Sequence, residues 1–453
     1  MELFTPLLRP LESSGRSSRM HHLLATYYEL VNTIIPGPQS LSYFVPLALL
    51  PGSLLIPPHI LSHQALACLS MPIIVGCTVH AWICMRGVDV ISADTLWWCF
   101  FFLVFRDPRK DFRRLRENGK NEGYPHRFWP RVKWVGTLLT ERPLTCWKTG
   151  EPSHDAKVSP PYIQQSRLRF IASILSVLVP SLAIFMPLAL QLKRHDTFFA
   201  TAENSLRASF PPPTSSQPQT IRILQRLVPP FILRPATQGL YTYSLMTTLF
   251  LPPFLLPVLM TYLTDSPRAH WSPHTWPRPH FGPIASVFDT GLRGLWGTWW
   301  HQQMRHAVSE PGRFLARKSG LKKGGFGRYA LICASAFFLS GITHAGLVVP
   351  EPRWAASRHG ACWELRLLFA GFFWVQAVGI LLEVKIVEPV VRLLGRRSEV
   401  MGRTLRVCWV LAFMGFAFTF LFDPFIEVNI WGLWPPPMIP EGIGSVLRGD
   451  WIP

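Results

Sequence analysis

Eight long apolar runs constrain the fold of this chain more than any other feature of its sequence. A helix needs about 20 mostly apolar residues to cross a bilayer, so each run is a candidate transmembrane helix. Charged residues make up only 16% of the chain, whereas soluble proteins carry about a quarter. We therefore predict an all-α polytopic membrane protein with about eight transmembrane helices. The runs lie roughly at 43–60, 66–84, 90–105, 169–190, 240–263, 329–350, 367–387 and 407–422.

Irregularities within these runs predict kinked or tilted helices. The first, third and last runs are short, and many of the 43 prolines fall inside apolar runs. A membrane bundle tolerates such prolines where neighbouring helices satisfy the backbone. The first forty residues contain no continuous apolar core, so we expect the first span, not a cleavable signal peptide, to direct insertion. None of the eight cysteines forms a CxxC pair, which indicates neither a disulfide framework nor a zinc module.

The net charge of +19 is distributed as membrane topology predicts. Connections 106–168, 264–328 and 388–405 hold far more Lys and Arg than connections 191–239 and 351–366. Because positive residues are retained in the cytosol, the first three should be cytosolic and both termini lumenal. No recognisable nucleic-acid-binding fold accompanies the charge, so we expect no nucleic-acid partner. We expect an integral, multi-pass protein of the endoplasmic reticulum.

The chain is predicted to form one membrane-embedded domain over residues 1–453. Within it, 106–168 is a basic cytosolic loop, 191–239 is a Pro-rich lumenal loop that serves as an exposed linker, and 264–328 is a cytosolic or interfacial segment. The basic loop opens with Arg106-Asp-Pro-Arg-Lys-Asp-Phe-Arg-Arg-Leu-Arg116. This mixture of basic and apolar residues fits a surface segment that contacts anionic headgroups, and it equally fits a solvated basic loop.

A Trp-rich segment at 287–305 is too polar and too short to span a bilayer. Tryptophan favours positions where one part of the side chain is wet and the other apolar. We predict an interfacial or re-entrant amphipathic helix that places His301 at the mouth of an apolar cavity. An ordinary interfacial helix with an incidental histidine is the alternative. The apolar side carries Leu292, Leu295, Trp296, Trp299 and Trp300, with Arg293 and Arg305 nearby.

His344 is the only histidine, acidic or basic residue in the apolar stretch 331–349. Ionisable residues at membrane depth are costly and indicate function. Ser340 precedes it by four residues on the same helical face, and Gly341 leaves room for a ligand or another helix. The alternative is a neutral histidine bonded to a neighbouring helix, the interpretation that we favour for His80, which has no companion motif.

These residues suit general-base chemistry in an apolar cavity. A buried imidazole stays neutral, so His344 could take the proton from a hydroxyl as its oxygen attacks a thioester. His301 or Gln302 would stabilise the developing oxyanion or orient the substrate. No GxSxG motif is present, which favours direct transfer over an acyl-enzyme. Predicted substrate-binding residues are Gln302, Trp296, Trp300, Arg293 and Ser340, and no metal site or bound cofactor is expected.

The sequence Leu292-Arg-x-x-Trp-Gly-x-x-Trp-His-Gln302 resembles the Arg-x-Phe/Trp-Trp-Gly-x-x-Trp-His signature of wax-synthase-like proteins in the membrane-bound O-acyltransferase superfamily. The resemblance is specific over about 286–350. It implies that His344 is the catalytic histidine and that His301 takes the place of the upstream Asn/His partner. The chain departs from the commonest signature at Gly291, where Ser is frequent, and at Trp299, where Arg is frequent.

Length and proline-rich style are most similar to the fungal branch, whose members are often O-acetyltransferases of terpenoid or meroterpenoid natural products. The resemblance implies an acyl-CoA-dependent O-acyltransferase, with acetyl-CoA as co-substrate and a lipophilic alcohol as acceptor from the bilayer. A long-chain wax-ester synthase or a sterol acyltransferase is the alternative. Candidate contacts to the donor phosphates, or else ordinary cytosolic anchors, are Arg313, Arg317, Lys318, Lys322 and Lys323.

Two further classes of protein are less consistent with the sequence. A di-iron desaturase or hydroxylase needs about eight well-placed ligands, usually with an HxxHH box, and that box is absent here. A transporter is disfavoured because the halves show no repeat and few intramembrane charges are paired. The sequence indicates no particular oligomeric state. The histidines that gave rise to the di-iron alternative are His270, His274, His280, His301 and His306.

Overall fold

The fold is helical throughout, with one small sheet, in a computed structural model of the chain. The first nine helices are α1 (Ser40–Leu55), α2 (His63–Cys84), α3 (Val90–Cys99), α4 (Pro108–Asp111), α5 (Phe128–Thr140), α6 (Arg167–Pro180), α7 (Met186–Arg194), α8 (Gln219–Leu227) and α9 (Pro230–Phe250). They are followed by α10 (Ala285–Gly294), α11 (Arg305–Lys318), α12 (Phe326–Ala345), α13 (Cys362–Leu382), α14 (Glu388–Gly395), α15 (Glu399–Ala417) and α16 (Thr419–Glu427). The structure describes residues 40–84, 88–115, 121–140, 144, 147–149, 167–200, 206–256, 258, 281–300, 302–348, 362–395, 398–428, 430–433, 444–445, 448 and 450.

Short π-helical turns extend or join several helices. They occur at Phe100–Phe105 after α3, Ser181–Phe185 between α6 and α7, Leu295–Trp299 after α10, and Glu383–Val387 between α13 and α14. Turns of 3₁₀ helix lie at Thr197–Phe199, Pro252–Phe254 and Ile430–Leu433. Such π turns replace one hydrogen-bonding register by another and are frequent at functional sites.

Five helices among the described residues are long and apolar enough to cross a membrane, which confirms the all-α membrane fold. They are His63–Ile83, Leu168–Arg194, Phe326–Ala345, Trp363–Leu394 and Glu399–Ala417. Ser42–Leu55 and Val90–Phe105 are shorter apolar helices, as the short first and third runs suggested. The exact number of eight spans stays a prediction.

Two of the predicted spans have the wrong bounds. The run at 240–263 is not one helix: α9 begins at Pro230 and ends at Phe250. The consecutive Pro252 and Pro253 supply no backbone donors, so the chain makes a 3₁₀ turn there. The run at 407–422 is divided between α15, which ends at Ala417, and α16.

The basic loop at 106–168 carries folded structure that composition did not predict. A three-stranded antiparallel sheet has the order β2-β1-β3, with β1 at Arg113–Leu115, β2 at Asn121–Glu122 and β3 at Trp147–Lys148. Helix α5 packs against α1, and the Trp134 ring meets Trp147 edge to face with centroids 4.8 Å apart. Aromatic packing therefore joins α5 to the sheet, and the contact between α5 and α1 anchors this loop to the helical bundle.

The opening of the basic loop does not contact headgroups through Phe112. That ring is fully buried, with Phe101 and Phe102 at 6.1 Å. Arg109 is 3% exposed: its Nε donates to Asp107 at 2.8 Å, and its guanidinium also donates to the carbonyls of Ile56 and Leu61. Arg109 and Phe112 are thus part of the protein interior, because the charge of Arg109 is neutralised and the Phe112 ring packs in a core, whereas Lys110, Asp111 and Arg113 are exposed.

Helix α12 lies between α11 and α13 in the larger hydrophobic core. Gly341 allows the close approach of α13, because a Cβ at this position would lie 2.9 Å from the Ala370 carbonyl oxygen. Of the two roles predicted for Gly341, the structure shows contact with another helix. The tight packing fixes the register between α12 and α13, and that register positions the candidate site.

Candidate active site

A cavity of about 860 Å³ follows one face of α12. The residues that α12 contributes at four-residue intervals lie on one stripe of the helix. At a rise of about 1.5 Å per residue, the stripe from Arg328 to His344 extends roughly 24 Å. Residues 290–313 supply most of the opposite wall, and α13 contributes Phe373 and Ile380. The stripe consists of Arg328, Ile332, Ala336, Ser340 and His344.

Basic side chains surround the end of the cavity near the start of α12. No acidic residue occurs among its described lining residues, so the local potential favours an anionic ligand. Of the five predicted phosphate contacts, Arg313, Arg317 and Lys323 line the cavity, whereas Lys318 and Lys322 are not among the lining residues. The other basic lining residues are Arg293, Arg305 and Arg328.

Arg317 is held in place by a buried carboxylate. Its guanidinium lies 2.7 Å from Glu310 Oε1, and the same oxygen accepts from Arg106 Nε at 3.1 Å. The Glu310 side chain is only 4% exposed. Two arginines on one carboxylate leave a net positive charge, so this cluster still favours an anion at the cavity end.

His344 lies at the other end of the cavity. Its Nδ1 is 2.8 Å from the Ser340 carbonyl oxygen and 3.4 Å from Ser340 Oγ. The carbonyl can only accept, so Nδ1 carries the proton and Nε2 keeps its lone pair. The ring also stacks on Phe373 with centroids 4.0 Å apart. These contacts fix both the tautomer and the orientation of a neutral imidazole, as a general base requires.

The helix end that carries His344 is fixed by α3. Trp97 Nε1 donates to Thr343 Oγ1 at 2.7 Å, and Thr343 is fully buried. The backbone at Asp89 and Val90 also lies so close to Gly346 that a Cβ there would be 2.5 Å from Val90 N. Sequence reasoning missed Trp97, since 246 residues separate it from its partner and no local pattern connects them.

The Trp-rich segment is broken at Gly291, and its predicted interfacial or re-entrant position stays a prediction. This glycine has φ 64° and ψ −135°, and a new helical turn starts at Leu292 and ends at Trp299. Trp296 Nε1 donates to Gln376 Oε1 on α13 at 3.0 Å. Trp296 and Trp300 both line the cavity, with ring centroids 5.8 Å apart.

Trp299 is not among the cavity-lining residues, and the side chain of Gln302 contacts the backbone of the Trp-rich segment. Trp299 stacks on Tyr243 with centroids 5.5 Å apart and packs against Phe281, so it is part of an aromatic cluster with α9. Gln302 lines the cavity, and its amide nitrogen donates to the carbonyls of Trp296 and Trp300. In this conformation the amide closes the helical turn, and its predicted contact with substrate stays a prediction.

The structure brings most of the predicted site residues to one cavity. His344, Ser340, Gln302 and Arg293 all line it, together with the two tryptophans described above. His301 lies outside the described residues, so its assisting role stays a prediction. The described residues contain no group of three or more His, Cys, Asp or Glu side chains that could hold a metal ion. Among the histidines behind the di-iron alternative, His270, His274 and His280 also lie outside the described residues.

Sequence reasoning missed the contribution of α13. Phe373 stacks on the histidine, Gln376 accepts from Trp296, and Glu383 accepts hydrogen bonds from the backbone amides of Leu292 and Arg293. A signal was available: Glu383 and Lys385 are ionisable residues within the apolar run predicted at 367–387. The hydrogen-bond partners of Glu383, however, come from a segment about ninety residues earlier, which the sequence pattern does not reveal.

Comparison with known proteins agrees with the resemblance found in the sequence. Residues 276–365 match the model of the membrane bound O-acyl transferase family. The chain is 32% identical over 156 residues to Acetyltransferase aurG of Calcarisporium arbuscula, a stretch covering 34% of this chain and 35% of that protein. It is 31% identical over 186 residues to Acetyltransferase ple2 of Rhodocybe pseudopiperita, covering 40% and 44%. It is 42% identical over 74 residues to Acetyltransferase nanB of Aspergillus nanangensis, covering 16% and 17%.

The matched stretches span less than half the length of each of these curated relatives. The family match includes the Trp-rich segment, α11 and α12, which together form most of the cavity wall. No solved structure matches the chain. The family match therefore covers most of the candidate site.

Proposed function

We propose that this protein transfers an acyl group from acyl-CoA to a hydroxyl of a lipophilic acceptor. The observation that carries the proposal is a single cavity with basic side chains at one end and the His344 imidazole at the other. The similarity to proteins named as acetyltransferases supports acetyl as the transferred group. A terpenoid or meroterpenoid of secondary metabolism is the proposed acceptor.

The shape and charge of the cavity support acyl-CoA as the donor. A ligand that fills the length of the cavity needs an anionic group at one end, an extended arm and a reactive group at the other end. The reactive group would lie about 24 Å from the first cation, because this is the length of α12 between Arg328 and His344. Acyl-CoA has phosphates at one end, a flexible pantetheine arm and a thioester at the other end. Arg313, Arg317 and Lys323 would contact the phosphates, which places the donor entrance on the predicted cytosolic side.

His344 would act as the general base. Its Nε2 takes the proton of the acceptor hydroxyl while the hydroxyl oxygen attacks the thioester carbonyl carbon. A new C–O bond forms, the C–S bond breaks, and the imidazolium returns the proton to the departing thiolate. The Nδ1 contact to the Ser340 carbonyl favours the transient imidazolium, because that carbonyl dipole stabilises positive charge on the ring.

The surroundings of His344 favour a small acyl group and an apolar acceptor. Trp296, Phe337 and Phe373 narrow this end of the cavity with aromatic rings. On the outer side of the same helices, the half-exposed Phe338 stacks on Trp374 with centroids 5.7 Å apart. An acceptor dissolved in the bilayer would meet this apolar surface first. We propose the endoplasmic reticulum membrane as the site of the reaction.

Microsomes that contain the expressed protein provide the test. Labelled acetyl-CoA and palmitoyl-CoA are supplied with a panel of terpenoid and long-chain alcohols, and ester formation is measured. We expect transfer from acetyl-CoA, and loss of a general base in His344→Ala should lower the rate about 10²- to 10⁴-fold. Palmitoyl transfer as fast as acetyl transfer would contradict the proposed acyl group.

A matched control is available in His80→Ala. His80 also lies in an apolar helix, but its Nδ1 contacts Ser42 Oγ at 2.8 Å and it is not among the cavity-lining residues. We expect this variant to keep the wild-type rate per folded molecule. Undiminished transfer by His344→Ala, or an equal loss in both variants, would refute the general-base role.

A further inference from the structure

One face of α13 contacts both halves of the candidate site. Phe373, Gln376, Ile380 and Glu383 are separated by three, four and three residues, so they lie on the same side of the helix. Phe373 stacks on His344, and Gln376 accepts from Trp296 at 3.0 Å. The relative position of the histidine and the Trp-rich segment therefore depends on one helix.

Glu383 is the charged member of this face, and its side chain is only 1% exposed. Its Oε2 accepts from the Leu292 backbone amide at 2.6 Å, and its Oε1 accepts from the Arg293 amide at 3.2 Å. Arg293 Nε approaches the same Oε1 at 3.4 Å. A carboxylate inside an apolar span is costly unless it is paired, and these contacts supply both amide donors and a counter-charge.

The carboxylate occupies the space opened by the break at Gly291. A Cβ on residue 291 would lie 2.2 Å from Glu383 Oε2, and φ 64° is a conformation that favours glycine. The first amides of the helical turn that begins at Leu292 have no acceptor within the turn, and a negative charge is favourable beside them. Gly291 and Glu383 thus form one unit: the glycine admits the carboxylate, and the carboxylate caps the turn.

We propose that Glu383 is a positioning residue for acyl transfer. By capping the turn Leu292–Trp299, it sets where Trp296 and Trp300 stand along the cavity relative to His344. Gln376 fixes the middle of the same turn from the same helix face. This inference rests on the proposed function, because it assigns Glu383 to that reaction.

Steady-state kinetics with acetyl-CoA test the role, with rates divided by the amount of folded enzyme measured by fluorescence-detected size-exclusion chromatography. We expect Glu383→Ala to lower kcat about 10- to 100-fold, since misplacement of a site by about 1 Å has effects of this size. Because Glu383 also pairs with Arg293, one of the basic lining residues, the KM for acetyl-CoA is measured alongside kcat, and the positioning role predicts that kcat changes by the larger factor. Glu383→Gln, which keeps one acceptor oxygen, should show a smaller loss and carries the comparison if the alanine variant does not fold.

Asp196→Asn is the matched control. Asp196 is also a buried carboxylate that accepts from a backbone amide, that of Phe198 at 3.1 Å, and pairs with Arg234 at 2.8 Å, but it is not among the cavity-lining residues. We expect its kcat per folded molecule to match the wild type. A purely structural role for Glu383 predicts less folded enzyme with unchanged kcat, and that result would overturn the proposal.

A double-mutant cycle gives a second readout. Gly291→Ala should lower kcat by itself because its Cβ displaces the carboxylate, and it should cost less in the Glu383→Ala background, where no carboxylate remains to be displaced. If the losses of kcat in the two single variants add fully in the double variant, Gly291 and Glu383 act independently, which would contradict the proposed unit. If the wild-type protein transfers no acyl group from acetyl-CoA, the proposed function fails. If His344→Ala is inactive and both Glu383 variants keep full kcat, only this inference fails.

Discussion

Residues 106–114 and residues 305–328 are both rich in arginine, and both belong to connections that the charge pattern assigns to the cytosol. In the first region, Arg109 is surrounded by Asp107 and two backbone carbonyls and is almost fully buried. In the second region, Arg313, Arg317 and Arg328 line an open cavity without an acidic lining residue. A buried cation with a fixed carboxylate stabilises the fold, whereas cations around an open volume are placed to bind an anion. The local sequence composition is alike, so composition alone does not separate the two uses.

The largest expected effect concerns the first region. Arg109→Ala leaves Asp107 buried without its guanidinium partner, and breaking such a pair costs about 3–5 kcal/mol. We expect a strong loss of folded protein and a lower melting temperature, measured by fluorescence-detected size-exclusion chromatography after heating. Acetyl-CoA KM in the remaining folded enzyme should be unchanged. A raised KM would show that this region also contacts the donor and would break the comparison.

The second region should give the opposite result. In Arg328→Ala, loss of one charge-assisted contact of about 1.5–3 kcal/mol should raise the KM for acetyl-CoA roughly tenfold or more. The melting temperature should change little, because the side chain lines the cavity entrance. The wild-type KM should also rise with ionic strength, since salt screens the cations. Unchanged KM in both measurements would contradict phosphate binding at this end.

The smallest effect is expected where the two regions meet. Arg106 and Arg317 share Glu310, so Arg106→Gln leaves less positive charge to compensate that carboxylate near the cavity. Because Arg106 is not among the cavity-lining residues, we expect an effect on donor binding of about 0.3–1 kcal/mol, a rise in acetyl-CoA KM of about two- to fivefold. Glu310→Gln should shift KM in the opposite direction or leave it unchanged. An increase in KM for both variants would indicate a loss of local structure instead.

The central elements of the candidate site could be predicted because their signals are local. His344 stands out as an ionisable residue in an apolar run, and the Trp-rich segment stands out by its composition and spacing. The cavity supports both predictions by bringing Ser340, Trp296 and Trp300 to one surface with the histidine. Local patterns single out these residues because a polar residue at membrane depth is costly.

The supporting residues could not be predicted in the same way. Trp97 reaches Thr343, and Glu383 reaches Leu292, only through contacts between helices that are distant in the sequence. Phe112 lies in a segment with the composition of a membrane-surface segment, but its ring is buried in a hydrophobic cluster that includes residues of α5 and Trp147 of β3. Proline at 252 and 253 ended α9 early, although hydropathy alone extended the run to 263.

The sequence by itself determined that this is an all-α membrane protein, where its intramembrane histidine lies, and which segment carries the Trp-His motif. These properties depend on hydropathy and on the cost of polar groups in lipid, both of which act residue by residue. Only the tertiary structure decided which cations surround the cavity, which are buried in ion pairs, and that one face of α13 aligns the two halves of the site. Those choices depend on helix register, and packing sets the register through close contacts such as those at Gly291 and Gly341.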